Sequence, residues 1–235
     1  MKIFKSVKRK FNELNVKENV WLSEIYKNHI KKKFKKKINH NFFFSLLNFL
    51  TFYIKKKSII TLDYGGGAGE YYHKYYFNNQ KNNKIIILDN NKIIKLGRTK
   101  MKYKNITFID KIENFNFKKI NFLLFSSVTQ YLENINLELK KLLFLKPDFI
   151  IFEDFHATNS KPFVTYQKFF DKKIPVKFHK VEFLEYFMRK NKYSLIYKSS
   201  FLPLIKGKFK FYDMENFPKT NRVNHTLNLV FKRNH

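Results

Sequence analysis

The feature that most constrains this chain is Ile59-Ile60-Thr61-Leu62-Asp63-Tyr64-Gly65-Gly66-Gly67-Ala68-Gly69-Glu70. An apolar run ends in an acid, meets a glycine cluster, and passes into an aromatic segment. The chain has six glycines, and four of them stand within positions 65–69. Glycine permits positive φ and lets a ligand approach the main chain. A strand, a glycine turn and a helix N-terminus together predict a nucleotide-sized cradle with exposed N–H groups.

Spacing narrows the choice of cradle. A dinucleotide fingerprint read from Gly65 would need glycine where Glu70 stands, so it fails. A phosphate-binding Walker loop needs Gly-Lys-Ser/Thr, and none follows. The pattern present is Asp-x-Gly-Gly-Gly-x-Gly, from Asp63 to Gly69. It resembles motif I of the class I S-adenosylmethionine (SAM) methyltransferases. Another nucleotide-binding fold and an ordinary tight turn stay open on spacing alone. Residues 62–69, taken with Ser126-Ser127-Val128-Thr129-Gln130-Tyr131-Leu132, resemble a family of methyltransferases found among bacterial surface-polysaccharide genes. The resemblance is good over residues 58–154 and loose elsewhere.

The resemblance implies an α/β fold: a Rossmann-like three-layer sandwich with a mostly parallel seven-stranded sheet whose last strand is antiparallel. It implies SAM as cofactor, with Gly65, Gly66, Gly67 and Gly69 bringing backbone against it and Asp63 near its amino group. Asp89 ends the second apolar run about 20 residues past the glycines, where a βαβ unit places a carboxylate on ribose hydroxyls. Asp110, ending a third run, falls beside the adenine in the family's fold. Ser126 belongs with the cofactor, and Ser127, Gln130 and Tyr131 with the acceptor. A serine-capped helix entry is the plainer account of at least one of the two serines.

The fifth apolar run, 149–152, is followed by Glu153-Asp154-Phe155-His156. Open parallel sheets bind ligands at the carboxyl ends of their strands, so this tetrad is expected at the cleft. Glu153, Asp154 or His156 is placed to take a proton from a substrate hydroxyl. The family more often shows one acid followed by arginine, which leaves the choice of base open. No further ligand pair is spaced to join a carboxylate–histidine metal site.

Composition excludes several classes. With no cysteine there is no disulfide, no cysteine-ligated zinc and no cysteine nucleophile, which fits a reducing, cytoplasmic location. The formal charge of +30 invites a nucleic-acid reading. Yet arginine, the residue that forks onto phosphate and guanine, stands only at positions 9, 98, 189, 222 and 233. Lysine, asparagine, isoleucine and phenylalanine are inflated together, as an AT-rich genome produces. The start of the chain lacks the apolar core of a signal peptide. Residues 41–54 are apolar but fall short of the roughly 20 needed to span a bilayer.

The remaining chain divides as a helical N-terminal cap over 1–57 and a methyltransferase domain over 58–235. In the cap, the aromatics of 42–53 are expected to pack on the sheet; an interfacial anchor backed by the lysines of 31–37 is the alternative. Gly97 is expected to cap a short helix. Residues 157–180 are expected to form a substrate lid, and 193–200 with 226–231 the closing antiparallel pair. The implied activity is O-methylation of a sugar or other small polar acceptor. An RNA methyltransferase using the basic surface, and a non-catalytic binding module on the same fold, are the alternatives.

Overall fold

The computed structural model describes residues 4–14, 16, 20–35, 46–54, 56–75, 82–115, 119–169, 172–202, 204–205 and 208–234. Its main sheet is built from β2 (Ile60–Tyr64), β3 (Lys84–Leu88), β4 (Ile106–Ile109), β5 (Phe122–Ser126), β6 (Phe149–Phe155), β10 (Tyr193–Phe201) and β13 (Thr226–Arg233), in the order β10-β13-β6-β5-β2-β3-β4. The pairings β2–β3, β2–β5 and β3–β4 are parallel, and β10–β13 is antiparallel. The central strands are near-continuous Ile, Leu and Phe because a parallel strand is covered on both faces. Leu62, Ile87, Phe122, Leu123 and Ile150 are fully buried. The expected seven-stranded sheet with an antiparallel end is thus the observed one.

Two compact units make up the chain. One comprises Trp21–Ser126 and Leu142–Ile151; the other comprises Met1–Val20, Ser127–Lys141 and Phe152–His235. The first holds α1 (Glu24–Lys35), α2 (Leu46–Tyr53), α3 (Glu70–Tyr75) and α4 (Asn91–Lys100) around the parallel strands. Helix α4 opens with Asn90 as N-cap, its side chain accepting from the Ile93 amide. The second unit holds α5 (Ile135–Leu142, up to Lys141) and α6 (Val181–Lys190), with a further sheet of β1 (Phe4–Lys8), β8 (Phe163–Phe169), β9 (Lys172–Lys180) and β7 (Ala157–Thr158), in that order.

That sheet corrects the N-terminal reading. Residues 1–57 were expected to form a helical cap, but β1 (Phe4–Lys8) is a strand paired antiparallel with β8 (Phe163–Phe169). Tertiary pairing overrides local pattern here: Phe4 is buried with Phe163, Val176, Phe178, Met214 and Phe217. The expected helix start at residues 42–45 lies outside the described residues. The 157–180 segment is β7 (Ala157–Thr158), β8 and β9 (Lys172–Lys180), and β8 and β9 form an antiparallel hairpin.

Gly97 is also corrected. It lies inside α4, whose C-cap is Met101. A Cβ there would overlap Phe108 and fall 2.9 Å from the backbone oxygen of Ala68, so the glycine allows α4 to pack directly on the glycine turn.

Candidate functional site

The first cluster is built on consecutive parallel strands. β2 carries Asp63 near its end, and β3 and β4 are followed directly by Asp89 and Asp110. Three neighbouring strands therefore bring an acid to the same edge of the sheet. Gly65, Gly67 and Gly69 all adopt positive φ, at 74°, 64° and 79°. Gly66 does not, but a Cβ on it would overlap the Asp63 carboxylate and come within 3.1 Å of Ile87 Cγ2. Each glycine of the cluster thus has a steric reason.

The turn does not present the free amides expected of it. Gly65 N–H donates to Leu88 O at 2.8 Å and Gly69 N–H to Gly66 O at 3.2 Å. Gly67 N–H donates to Asp89 Oδ2 at 2.8 Å. Asp89 Oδ1 accepts from the backbone and side-chain nitrogens of Asn90, at 2.6 and 2.9 Å. Burial raises the Asp89 pKa above the usual carboxylate range, against those three hydrogen bonds, and the charge of Glu70 raises it further.

Two residues of this cluster escaped the sequence reading. Tyr72 donates its hydroxyl to Asp63 Oδ2 at 3.0 Å and is almost fully buried, so Asp63 is held by its own α3 helix. Glu70 begins α3; its Oε1 accepts from Lys33 Nζ at 3.1 Å, and its buried Oε2 has no hydrogen-bond partner among the described residues. That oxygen lies 3.2 Å from where a Gly67 Cβ would stand. Capping chemistry was the available signal: an acid in a helix's first turn is common for dipole reasons alone. Asp110 accepts from Asn114 Nδ2 at 3.3 Å. Ser126 is half-buried at the end of β5.

The arrangement discriminates among ligands. Asp63, Asp89 and Glu70 around a turn whose Gly65, Gly67 and Gly69 amides are engaged would repel a phosphate. Hydroxyl and ammonium donors would instead meet waiting acceptors, Glu70 Oε2 among them. A ligand with ribose hydroxyls and cationic centres fits; a pyrophosphate does not.

The second cluster surrounds Asp154. Asp154 and Ser127 are both in the left-handed region, at φ 57° and 51°. Such conformations cost about 1–3 kcal/mol each and persist where the surroundings over-determine them. Here they do. Ser127 N–H donates to Glu153 O at 3.0 Å, and Ser127 Oγ donates to Asp154 Oδ2 at 2.8 Å. Thr226 Oγ1 donates to Asp154 Oδ1 at 2.7 Å, while Asp154 N–H donates to Asn228 Oδ1 at 3.3 Å. Burial, then the nearby Asp154 charge, pushes the Tyr131 and Tyr212 hydroxyls well above the usual tyrosine range, so both stay protonated. Tyr131 donates to Gln167 Oε1 at 3.4 Å, and Gln130 Nε2 donates to Ser127 O at 3.0 Å. Thr226, Asn228 and Tyr212 were missed because nothing in their own neighbourhoods marks them; they reach Asp154 through the fold.

The tetrad does not act as one strip. β6 runs to Phe155, three residues past its expected end, because β13 pairs alongside it. Glu153 and Asp154 are half-buried, but Phe155 and His156 are core. His156 packs against Phe4, Phe178 and Tyr212, with centroids at 6.0, 5.0 and 5.9 Å. Burial lowers its pKa and keeps it neutral, although the Asp154 charge opposes this.

His179 is a second buried histidine, stacked on Phe155 at 5.6 Å with Nε2 2.9 Å from Thr129 O. Burial first, and the Lys177 charge after it, pull its pKa down to about 4 against the Thr129 hydrogen bond. A histidine depressed on folding contributes stability that is fully present above its unfolded pKa near 6.5. That stability is lost as pH falls toward 4. For His179 alone the loss reaches about 3 kcal/mol. Urea melts between pH 7 and 4 are expected to show this decline, and His179→Gln to flatten it. An unchanged slope in the variant would remove His179 as the cause.

No family model matches the chain, and no curated protein matches it. Solved structures do. An SAM-dependent methyltransferase from Methanosarcina mazei is 10% identical, with a TM-score of 0.55 over 78% of this chain and 96% of that one. One from Clostridium acetobutylicum is 11% identical, with a TM-score of 0.52 over 89% and 99%. The 1,6-didemethyltoxoflavin-N1-methyltransferase of Burkholderia thailandensis, solved with 1,6-didemethyltoxoflavin and S-adenosylhomocysteine bound, is 11% identical, with a TM-score of 0.53 over 80% and 76%. At these identities the likeness speaks to architecture, and the architecture is plain: this chain has the Rossmann-like α/β fold of the SAM-dependent methyltransferases.

Proposed function

We propose that the chain is an SAM-dependent methyltransferase acting on a hydroxyl of a small polar acceptor, a sugar or nucleotide sugar first among them. The observation that carries this is the carboxylate-lined glycine turn. Asp89 would accept from the ribose hydroxyls, Glu70 and Asp63 would face the amino-acid ammonium, and Asp110 would accept from the adenine amine. Gly65, Gly66, Gly67, Gly69 and Ser126 would line the same ligand. When bound, the cofactor supplies an activated methyl group on a sulfonium centre. The protein then has to hold, orient and exclude water.

Of the three groups expected to accept a proton, Asp154 is the one we assign. His156 is core, and Asp154 is fixed on both oxygens by Ser127 and Thr226. Ser127, Gln130 and Tyr131 remain the acceptor-side residues in this reading. The residue 58–154 resemblance supports a place in surface-polysaccharide synthesis, in the cytoplasm.

Calorimetric titration with SAM and with S-adenosylhomocysteine tests the donor half. Binding of both on the order of micromolar is expected, and binding of neither would sink the proposal. Asp154→Asn is expected to keep that affinity within about twofold. With a sugar nucleotide found by screening, its transfer should fall at least about 100-fold, as loss of a positioned base does. Full turnover in the variant would show that Asp154 is not the base. A protein that binds the cofactor yet methylates no sugar nucleotide would move the reading toward RNA or toward a non-catalytic module.

A further inference from the structure

Of the helices α1 and α2, α1 is the one seated on the glycine turn. α2 leaves Phe49, Phe52 and Tyr53 exposed, against the expected packing of its aromatics on the sheet. In α1, Ile30 is fully buried in one cluster with Ala68 of the turn and Ile93 of α4, and Tyr26, Phe34 and Leu96 pack around them. The lysines of α1 then differ in what they meet. Lys31, Lys32 and Lys35 are exposed, and Lys27 pairs with Glu24 on its own helix. Lys33 reaches off the helix to Glu70, donating from Nζ to Oε1 at 3.1 Å. Lys33 is part-exposed, and pairs of that kind add little to stability.

The Glu70 carboxylate lies over Gly67: Oε2 is 3.2 Å and Oε1 3.8 Å from where a Gly67 Cβ would stand. Lys33 takes Oε1, while Oε2 is buried and has no hydrogen-bond partner among the described residues. Asp89, from the end of β3, meets the same glycine through its amide. A turn lined by acids suits an ammonium and ribose hydroxyls, but the amino-acid end of the donor also carries a carboxylate. Like a phosphate, that carboxylate would be repelled by Asp63, Asp89 and Glu70 unless a cation stood beside them. Lys33 is such a cation. Its ammonium has three donors, and Glu70 Oε1 uses one. In an α-amino acid the nitrogen and the carboxyl carbon are about 2.5 Å apart. A ligand whose ammonium meets Glu70 Oε2 can therefore set its carboxylate against Lys33 Nζ.

Resting on the donor reading above, we infer that Lys33 is a cofactor-specificity residue. With Glu70 it forms a pair of opposed charges that recognises the zwitterionic end of SAM, Lys33 holding the carboxylate while Glu70 takes the ammonium. Helix α1, which precedes the methyltransferase domain in sequence, thereby completes the donor site.

Calorimetric titration with SAM and with decarboxylated SAM, which differ by that carboxylate alone, tests this without any need for a methyl acceptor. The wild-type chain is expected to bind SAM at least about tenfold more tightly than decarboxylated SAM, the worth of one charge-assisted contact. Lys33→Met is expected to weaken SAM at least about tenfold and to leave decarboxylated SAM within about threefold, so that the preference disappears. Lys33→Arg should retain most of the preference. Glu70→Gln should weaken both ligands together, since both carry the ammonium. The preference is read within one protein, so a smaller folded fraction does not mimic its loss; Lys33→Gln serves if Lys33→Met does not fold. A Lys33→Met protein that keeps the wild-type preference overturns the inference and leaves the donor reading intact. One that binds SAM more tightly than the parent also overturns it, and makes Lys33 a competitor for Glu70. A wild-type chain that binds neither compound removes the donor reading and this inference together.

Discussion

Asp89→Ala is expected to weaken SAM binding by about 100-fold or more, read by calorimetry. Two effects add. The carboxylate is the proposed acceptor for two ribose hydroxyls, and charge-assisted hydrogen bonds of this kind contribute about 1.5–3 kcal/mol each. The same carboxylate also takes the Gly67 amide at 2.8 Å, so its loss frees the centre of the turn. Asp89→Asn separates the two. Its side-chain oxygen can still accept from Gly67, but its amide offers donors where the ribose also has donors. If Asn binds the cofactor nearly as well as Asp while Ala does not, Asp89 serves the turn and the ribose role is wrong. Burial already holds Asp89 above the usual carboxylate range. Hydroxyl donors from a ligand would favour its charged form, so binding should tighten as pH rises through the raised pKa of the free protein.

Gly97→Val should be the most damaging substitution outside the turn. A first methyl at this position would already overlap Phe108 and approach the Ala68 carbonyl to 2.9 Å. Phe108 is buried in β4, and Ala68 is turn backbone, so neither can swing aside cheaply. Overpacking of this kind costs about 3 kcal/mol, which in a chain this size lowers Tm by about 6–12 °C. Helix propensity pulls the other way, since Gly97 is mid-helix and almost any residue is a better helix former. A Tm equal to or above wild type would mean that α4 shifts outward and that the close contact with Ala68 is dispensable. Because Ala68 lies among the glycines, cofactor affinity should fall along with stability.

Much of the parallel half of the molecule is legible in the sequence. Its information is local: an apolar run of four or five residues, an acid at its end, a glycine turn, a helix. Asp63, Asp89 and Asp110 could be placed at strand ends from such runs alone, and the observed strands put them there. The seven-stranded sheet and its antiparallel end followed from resemblance and agree with the structure.

What was illegible depended on partners distant in sequence. β1 is a strand because β8 pairs with it, some 160 residues away, and because Phe4 has a buried cluster to enter. His156 looked like one member of a cleft-facing tetrad; the cluster formed by Phe4, Phe178 and Tyr212 made it core. Asp154 gained its standing from Thr226 and Asn228 on β13 and from a left-handed backbone that no propensity scale marks. Even the glycine turn was half read. Its glycines announced a backbone that must bend, but where its amides point was settled by the carbonyl of Leu88 and the carboxylate of Asp89 on the neighbouring strand. By itself the sequence determined the strand–turn–helix grammar, because hydrophobic period and glycine sterics act over a few residues. Only the tertiary structure decided which polar groups are engaged, which are waiting and which aromatics stay exposed, because hydrogen bonds and burial are properties of the whole packed chain.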